Sequence, residues 1–193
     1  MPRHPQFSKE DIVAAGLSIV RKGGLESVSA RALGKELGTS SSPMFTMFKD
    51  MSEVLCAIRS AAEKLFVDRM EGVTDYFPAF KEFGMRLVSF AKNESNIFQM
   101  LFLGKRARPE IAERIARECL THAGQGYGLT DDQADLLFRQ MWPVACGIAA
   151  LCVKHPEDFS DDIVSSTLSY HFSGIMTIIK SGRKVEDVKP RHI

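Results

Sequence analysis

Long apolar runs are missing from this sequence. No stretch approaches the ~18 consecutive apolar residues of a membrane span. The opening Met1-Pro2-Arg3-His4-Pro5 holds no apolar core of a secretion signal. The expectation is a cytoplasmic protein with no membrane partner. Cysteine is scarce: Cys56, Cys119, Cys146 and Cys152 are the four, and none forms a C-x-x-C pair. All lie in apolar helical patterns, which predicts buried, reduced thiols rather than a disulfide framework. Strong charge of one sign is also lacking. The net charge is +1, with seven Lys/Arg against five acids in the first 50 residues. That small excess permits DNA contact at the amino end but is no nonspecific nucleic-acid coat. Catalytic patterns are missing too: there is no H-E-x-x-H, no E-x-x-H pair and no Ser/Cys–His arrangement. His122, His155 and His171 share no metal-ligand spacing, so no enzyme, metal or cofactor is expected. Aromatics other than Phe are few, one Trp and three Tyr against 13 Phe, with nine Met beside them. Phe and Met suit an adaptable apolar cavity as well as an ordinary core.

What is present is helical periodicity. No strand-type alternation or NG/DG hairpin signal interrupts it. Ser8 is placed to cap a first helix with Ile12, Ala15, Ile19 and Val20 on one face, stopped by Gly23-Gly24. Ser29 caps a short second helix ending at Gly38, and Ser40 a third running to about Met47. Asp50-Met51-Ser52-Glu53 reads as a capping box opening a long fourth helix to about Met70. After a connector from Gly72 to Phe77, Pro78 suits the first turn of a fifth. A short sixth spans about Asn96 to Leu103, and Gly104 to Arg108 form a basic loop. Pro109 opens a seventh that Gly124, Gly126 and Gly128 end. Thr130-Asp131-Asp132-Gln133 opens an eighth to about Lys154, with Pro143 expected to kink it. Ser160 caps a ninth, ended by Gly182. The fold class is therefore all-α with about nine helices. Residues 1–50 form a small three-helix unit, and residues 51–193 form a larger bundle joined through the fourth helix.

Residues 29–48 are the most informative stretch. Two short helices joined by a tight glycine turn make the unit that docks in a DNA major groove. Gly34 permits close helix approach, and Gly38 suits a left-handed turn. Ser40 caps the reading helix. Pro43 falls in that helix's first turn, where its missing N–H has no intrahelical partner. Met44 and Phe48, at i and i+4, face inward. Ser29, Ser40, Ser41 and Lys49 are candidate phosphate partners. Arg31, Ser42, Phe45 and Thr46 are candidate groove contacts, with Phe45 suited to a thymine methyl.

Residues 8–65 resemble the amino-terminal domain of the TetR/AcrR family of bacterial regulators. The likeness rests on Ala15, Gly24, Ser29, Leu33-Gly34, Gly38-Thr39-Ser40, Met44-Phe45-Thr46-Met47-Phe48 and Lys49, in register without gaps. Phe45 stands where the family has a Tyr that bonds a phosphate, and Met47 where it has a backbone-contacting His. The resemblance implies a homodimer that binds a near-palindromic operator in double-stranded DNA and leaves it when a small ligand occupies the carboxyl-terminal domain. It also implies dimerisation through the helices near 130–154 and 160–181, whose broad apolar faces agree.

A cavity for a small apolar or amphipathic effector is expected among the fourth to eighth helices. Phe66, Met85, Phe98, Phe102, Trp142, Cys146 and Cys152 are its candidate lining, with Pro143 and Gly147 making the eighth helix irregular there. The functional expectation is a ligand-responsive transcriptional regulator, most simply a repressor. The alternative is a helical adaptor that binds a protein partner without DNA.

Overall fold

A computed structural model describes residues 7–40, 45–104, 107 and 109–182. Those residues form eight α-helices and no strand: α1 (Lys9–Gly23), α2 (Ala30–Glu36), α3 (Met51–Met70), α4 (Ala79–Asn93), α5 (Ser95–Phe98), α6 (Glu110–Tyr127), α7 (Asp131–Cys152) and α8 (Asp161–Ser181). The all-α reading holds. The third helix expected over Ser40–Met47 falls largely on residues 41–44, which lie outside the described residues. Beyond them, Phe45 and Thr46 lie in a tight 3-10 turn.

Side chains capable of capping do so where the sequence places them. Ser8 Oγ accepts from the Asp11 N–H at 3.1 Å while the Asp11 carboxylate accepts from the Ser8 N–H at 2.8 Å. Asp50 accepts from the Glu53 N–H at 3.0 Å, and Glu53 reaches back to the Lys49 N–H at 2.6 Å. Thr130 and Gln133 form the reciprocal pair that starts α7. Each such cap satisfies backbone donors that the first turn leaves without partners.

Two glycines read as breakers act differently from expectation. Helix α6 runs on past Gly124 and Gly126 and stops only at Gly128, where φ is +67°. A helical glycine costs about 1 kcal/mol against alanine but does not end a helix that packing holds. Position 126 faces the Phe77 ring, 3.5 Å from where a Cβ would stand. Helix α7 continues through Pro143, as the sequence places it, and Pro143 is exposed and gives the Arg139 carbonyl no helical donor. After α5, the five residues Gln99–Leu103 form a π-helical turn, closed by Gly104 N–H donating to Gln99 O at 2.8 Å.

One continuous apolar core runs through both ends of the molecule. At the amino end α1 packs across α3, and Gly16 is the crossing point. A Cβ there would collide with the Ile58 side chain. At the other end α4 lies against α6, α7 and α8. No polar side chain is buried among the described residues, so the core is held by packing alone. The thiol expectation holds only in part. Cys119 and Cys152 are buried and Cys146 is half-buried, but Cys56 is exposed, because its position on α3 turns away from the Val54–Ile58–Ala62 core face.

Candidate nucleic-acid interface and effector cavity

Helix α2 owes its start to Ser29, whose Oγ accepts from the Ala32 N–H at 3.2 Å. It ends in paired turn bonds, Thr39 N–H to Gly34 O at 2.8 Å and Gly38 N–H to Lys35 O at 3.2 Å. That closure needs a left-handed residue, and Gly38 supplies it at φ +67°. Leu33 and Gly34 are buried beneath α2, and Phe48 is buried beyond the turn with the Lys9 ammonium 4.8 Å from its ring centroid. These anchors set the outward face. Ser29, Arg31, Ser40, Thr46 and Lys49 are all exposed on it. Phe45 is 45% exposed, large for an apolar ring. Met47 is half-buried and packs against the core. Ser41 and Ser42 lie outside the described residues. Lys22 is not available in the same way, since it and Ser18 hold Glu36 at 2.6 and 2.7 Å. Those two bonds, the lysine first, hold the Glu36 carboxyl below its ordinary range.

The amino-terminal unit is tied to the bundle by a clasp that sequence reading missed. Arg21, in the last turn of α1, donates through Nε and Nη2 to the two carboxylate oxygens of Glu94 at 2.8 and 2.9 Å. Asn96 Nδ2 donates to Arg21 O at 2.8 Å. Glu94 is the residue that ends α4, and its side chain is only 12% exposed. A two-toothed guanidinium–carboxylate pair fixes orientation as well as distance. The partners stand 73 positions apart, so no local pattern announces them.

At the far end of α4 lies a cavity of about 460 Å³ among α4, α6, α7 and α8. Its apolar wall includes Phe80, Met141, Leu168, Phe172 and Met176, and Lys81 and Lys180 stand in its lining. None of the seven residues singled out for an effector lines this space. Phe66, Phe98 and Cys152 are buried in the core. Phe66 and Phe98 close on Phe102 with ring centroids 5.1 and 4.8 Å apart. Met85, Phe102, Trp142 and Cys146 are partly buried against the same core. Of these, Trp142 adjoins the cavity through a chain of rings: Phe80 to Phe83 at 6.1 Å, then Phe83 to Trp142 at 6.2 Å. Burial pushes the Cys119 and Cys146 thiols up to about 12, which makes them packing groups rather than nucleophiles.

Comparison by sequence finds no matching family model and no matching curated protein. Comparison by structure is informative. A transcriptional regulator from Rhodococcus sp. Rha1 superposes with a TM-score of 0.65 at 18% identity, covering 89% of this chain and 97% of its own. FadR of Thermus thermophilus, described as a TetR-family transcriptional repressor in complex with lauroyl-CoA, gives 0.58 at 14% identity, with 96% and 100% covered. RolR in complex with resorcinol gives 0.55 at 15%, with 94% and 96% covered. The chain therefore shares its fold with these three proteins along nearly its whole length, and one of them is described as belonging to the family that residues 8–65 resemble. No helix among the described residues is long and apolar enough to cross a membrane.

Proposed function

We propose that this protein is a ligand-responsive DNA-binding transcriptional regulator, a homodimeric repressor released from a palindromic operator by a small molecule. The observation that carries the reading is the exposed face of the Ser29-capped α2 and its Gly38 turn, set on a fold shared end to end with regulators of transcription. Residues 1–50 serve as the DNA-binding unit and residues 51–193 as the ligand and dimer unit. Ser29, Ser40, Ser41 and Lys49 take phosphates, and Arg31, Ser42, Phe45 and Thr46 meet the groove. Arg31 and Lys49 are exposed cations outside any ion pair among the described residues, which leaves them to DNA.

Dimerisation is assigned to α7 and α8. Leu136, Leu151, Ile163, Tyr170 and Ile178 are large apolar side chains exposed on these two helices, more than a solitary bundle accounts for. Two reading helices related by a two-fold axis then meet successive major grooves ~34 Å apart. The effector acts in the bundle, in the cavity among α4, α6, α7 and α8, with Phe66, Met85, Phe98, Phe102, Trp142, Cys146 and Cys152 as the packed side chains behind its lining rather than in it. Its binding favours one of two arrangements of α3 and α4 against α1, which changes the spacing of the reading helices.

The test is a footprint on the DNA upstream of the chain's own gene, backed by selection from genomic fragments. A protected palindrome is expected, and no protection anywhere refutes the reading. The double variant Arg31→Ala, Lys49→Ala should weaken binding and lower the salt slope by about one unit for each phosphate partner removed. A protein-binding adaptor would show no DNA affinity to lose.

A further inference from the structure

Among the described residues, the cavity among α4, α6, α7 and α8 is lined by charge of one sign. Both charged groups of its lining among those residues are lysines, Lys81 in the first turn of α4 and Lys180 in the last turn of α8, and no carboxylate of those residues lines it. The acid next to Lys81, Glu82, is turned to Arg86 at 2.7 Å. Neither lysine enters an ion pair among the described residues. Lys180 stands instead over the Tyr127 ring, 5.6 Å from its centroid. Helix α4 adds to the same sign. It begins at Pro78 on the cavity with no side-chain cap, so its free N–H groups and the positive end of its dipole face this region.

Hydroxyl groups complete a polar side opposite an apolar one. Ser169, Ser173 and Thr177 recur every fourth residue along one face of α8. Thr177 donates to the Ser173 carbonyl at 2.8 Å, while the Ser169 and Ser173 hydroxyls have no bond among the described residues. Phe80, Met141, Leu168 and Phe172 form the apolar side. The volume, about 460 Å³, falls within the roughly 300–1,000 Å³ of small-molecule sites.

The geometry points to an effector of one chemical class, an amphipathic carboxylate. Its oxyanion head sits between Lys81 and Lys180 with the α8 hydroxyls, and its hydrocarbon body lies along Phe80, Leu168 and Phe172. This assignment deepens the regulator reading above and rests on it for the word effector. Charge-assisted bonds to two lysines reward the anion, the apolar wall rewards the tail, and a cation of the same shape meets repulsion at both lysines.

The experiment uses the full chain without DNA and three probes with the same ten-carbon tail: decanoate, decanol and decyltrimethylammonium, each below its micellar concentration. Titration calorimetry should show saturable one-site binding of decanoate, at least about tenfold weaker binding of decanol and none of the cation. In Lys81→Met, Lys180→Met the decanoate affinity should fall at least about tenfold while decanol is unchanged. Both lysines are half-buried or exposed, so unchanged thermal unfolding is expected, and the single variants carry the test if the double one fails to fold. Equal binding of all three probes, preference for the cation, or a decanoate affinity untouched by either lysine change overturns the assignment. The outcomes separate from those of the regulator reading. A chain that protects an operator yet discriminates no probe refutes the carboxylate alone. One that binds decanoate through both lysines but no DNA refutes the regulator alone.

Discussion

Single residues settle two questions of packing and reactivity. Gly16 sits where α1 crosses α3, with no room for a Cβ beside Ile58. Gly16→Ala should therefore cost about 1–3 kcal/mol through overpacking, read as a fall of about 2–4 °C in Tm per kcal/mol. The four thiols differ by position alone. Only Cys56 is exposed, whereas burial raises the pKa of Cys119, Cys146 and Cys152. A thiol reagent at neutral pH should label one cysteine in the native chain and four in denaturant. Rapid native labelling of more than Cys56 contradicts the packing described. Neither feature is legible in the sequence. The first half of α1 reads as an amphipathic stripe at Ile12, Ala15 and Ile19, but nothing local says that Gly16 faces a neighbouring helix at close range. Cys56 lies among apolar neighbours in the chain and still emerges on the outer side of α3.

Helices are legible in proportion to how local their causes are. Ser8, Ser29, Asp50, Thr130 and Ser160 announce helix starts because a cap acts within three residues, and each one caps as read. Gly38 and Gly182 announce ends for the same reason, each adopting a positive φ. Gly124 and Gly126 mislead because a helix stop depends on tertiary packing and on the residues after it, not on glycine alone. The contacts between helices are the least legible. Lys81 and Lys180 each look like an ordinary solvated charge, and they line one cavity only because α4 and α8 pack side by side. Phe66 and Phe98 stand out in the sequence as aromatic residues, yet their rings close on Phe102 rather than open onto the cavity. One contact between elements has a defined pH response. Lys22 and Ser18 of α1 hold Glu36 at the end of α2, with its pKa lowered from 4.5. A carboxyl depressed in the folded state adds stability above its unfolded pKa and loses it as pH falls through the folded one. The Tm of the wild type should thus exceed that of Glu36→Gln at pH 7, and the gap should narrow as pH falls below 4.5 and through the lower folded value. A gap that persists in acid would mean the two bonds do not depend on the charge.

Across the molecule, two predictions concern assembly and communication. The proposed dimer through α7 and α8 predicts that Tyr170→Asp with Ile178→Asp, at exposed apolar positions of α8, should shift sedimentation to the monomer. A monomeric wild type would remove the two-fold reading of the operator. The Arg21–Glu94 clasp joins the unit that carries α2 to the helix that reaches the cavity. Glu94→Gln should leave DNA affinity without effector nearly unchanged and weaken effector-driven release by about 0.5–2 kcal/mol of coupling. Equal release in both proteins, measured by gel shift over an effector titration, would place the coupling elsewhere. The whole-molecule reading owes most to residues 8–65, where a family pattern is dense. Beyond them the sequence offers only helix lengths and apolar faces.

Helix α4 has a further consequence, for how the chain can vary in length. Its 15 residues span about 22 Å, with Lys81 near one end and Glu94 capping the other. Inserting one residue between them would turn Glu94 by about 100° relative to the cavity and carry it off Arg21. Insertions and deletions among descendants of this chain should therefore accumulate outside that span, for example near residues 153–160. The tract from Lys81 to Glu94 should keep its length as strictly as a gear keeps its count of teeth.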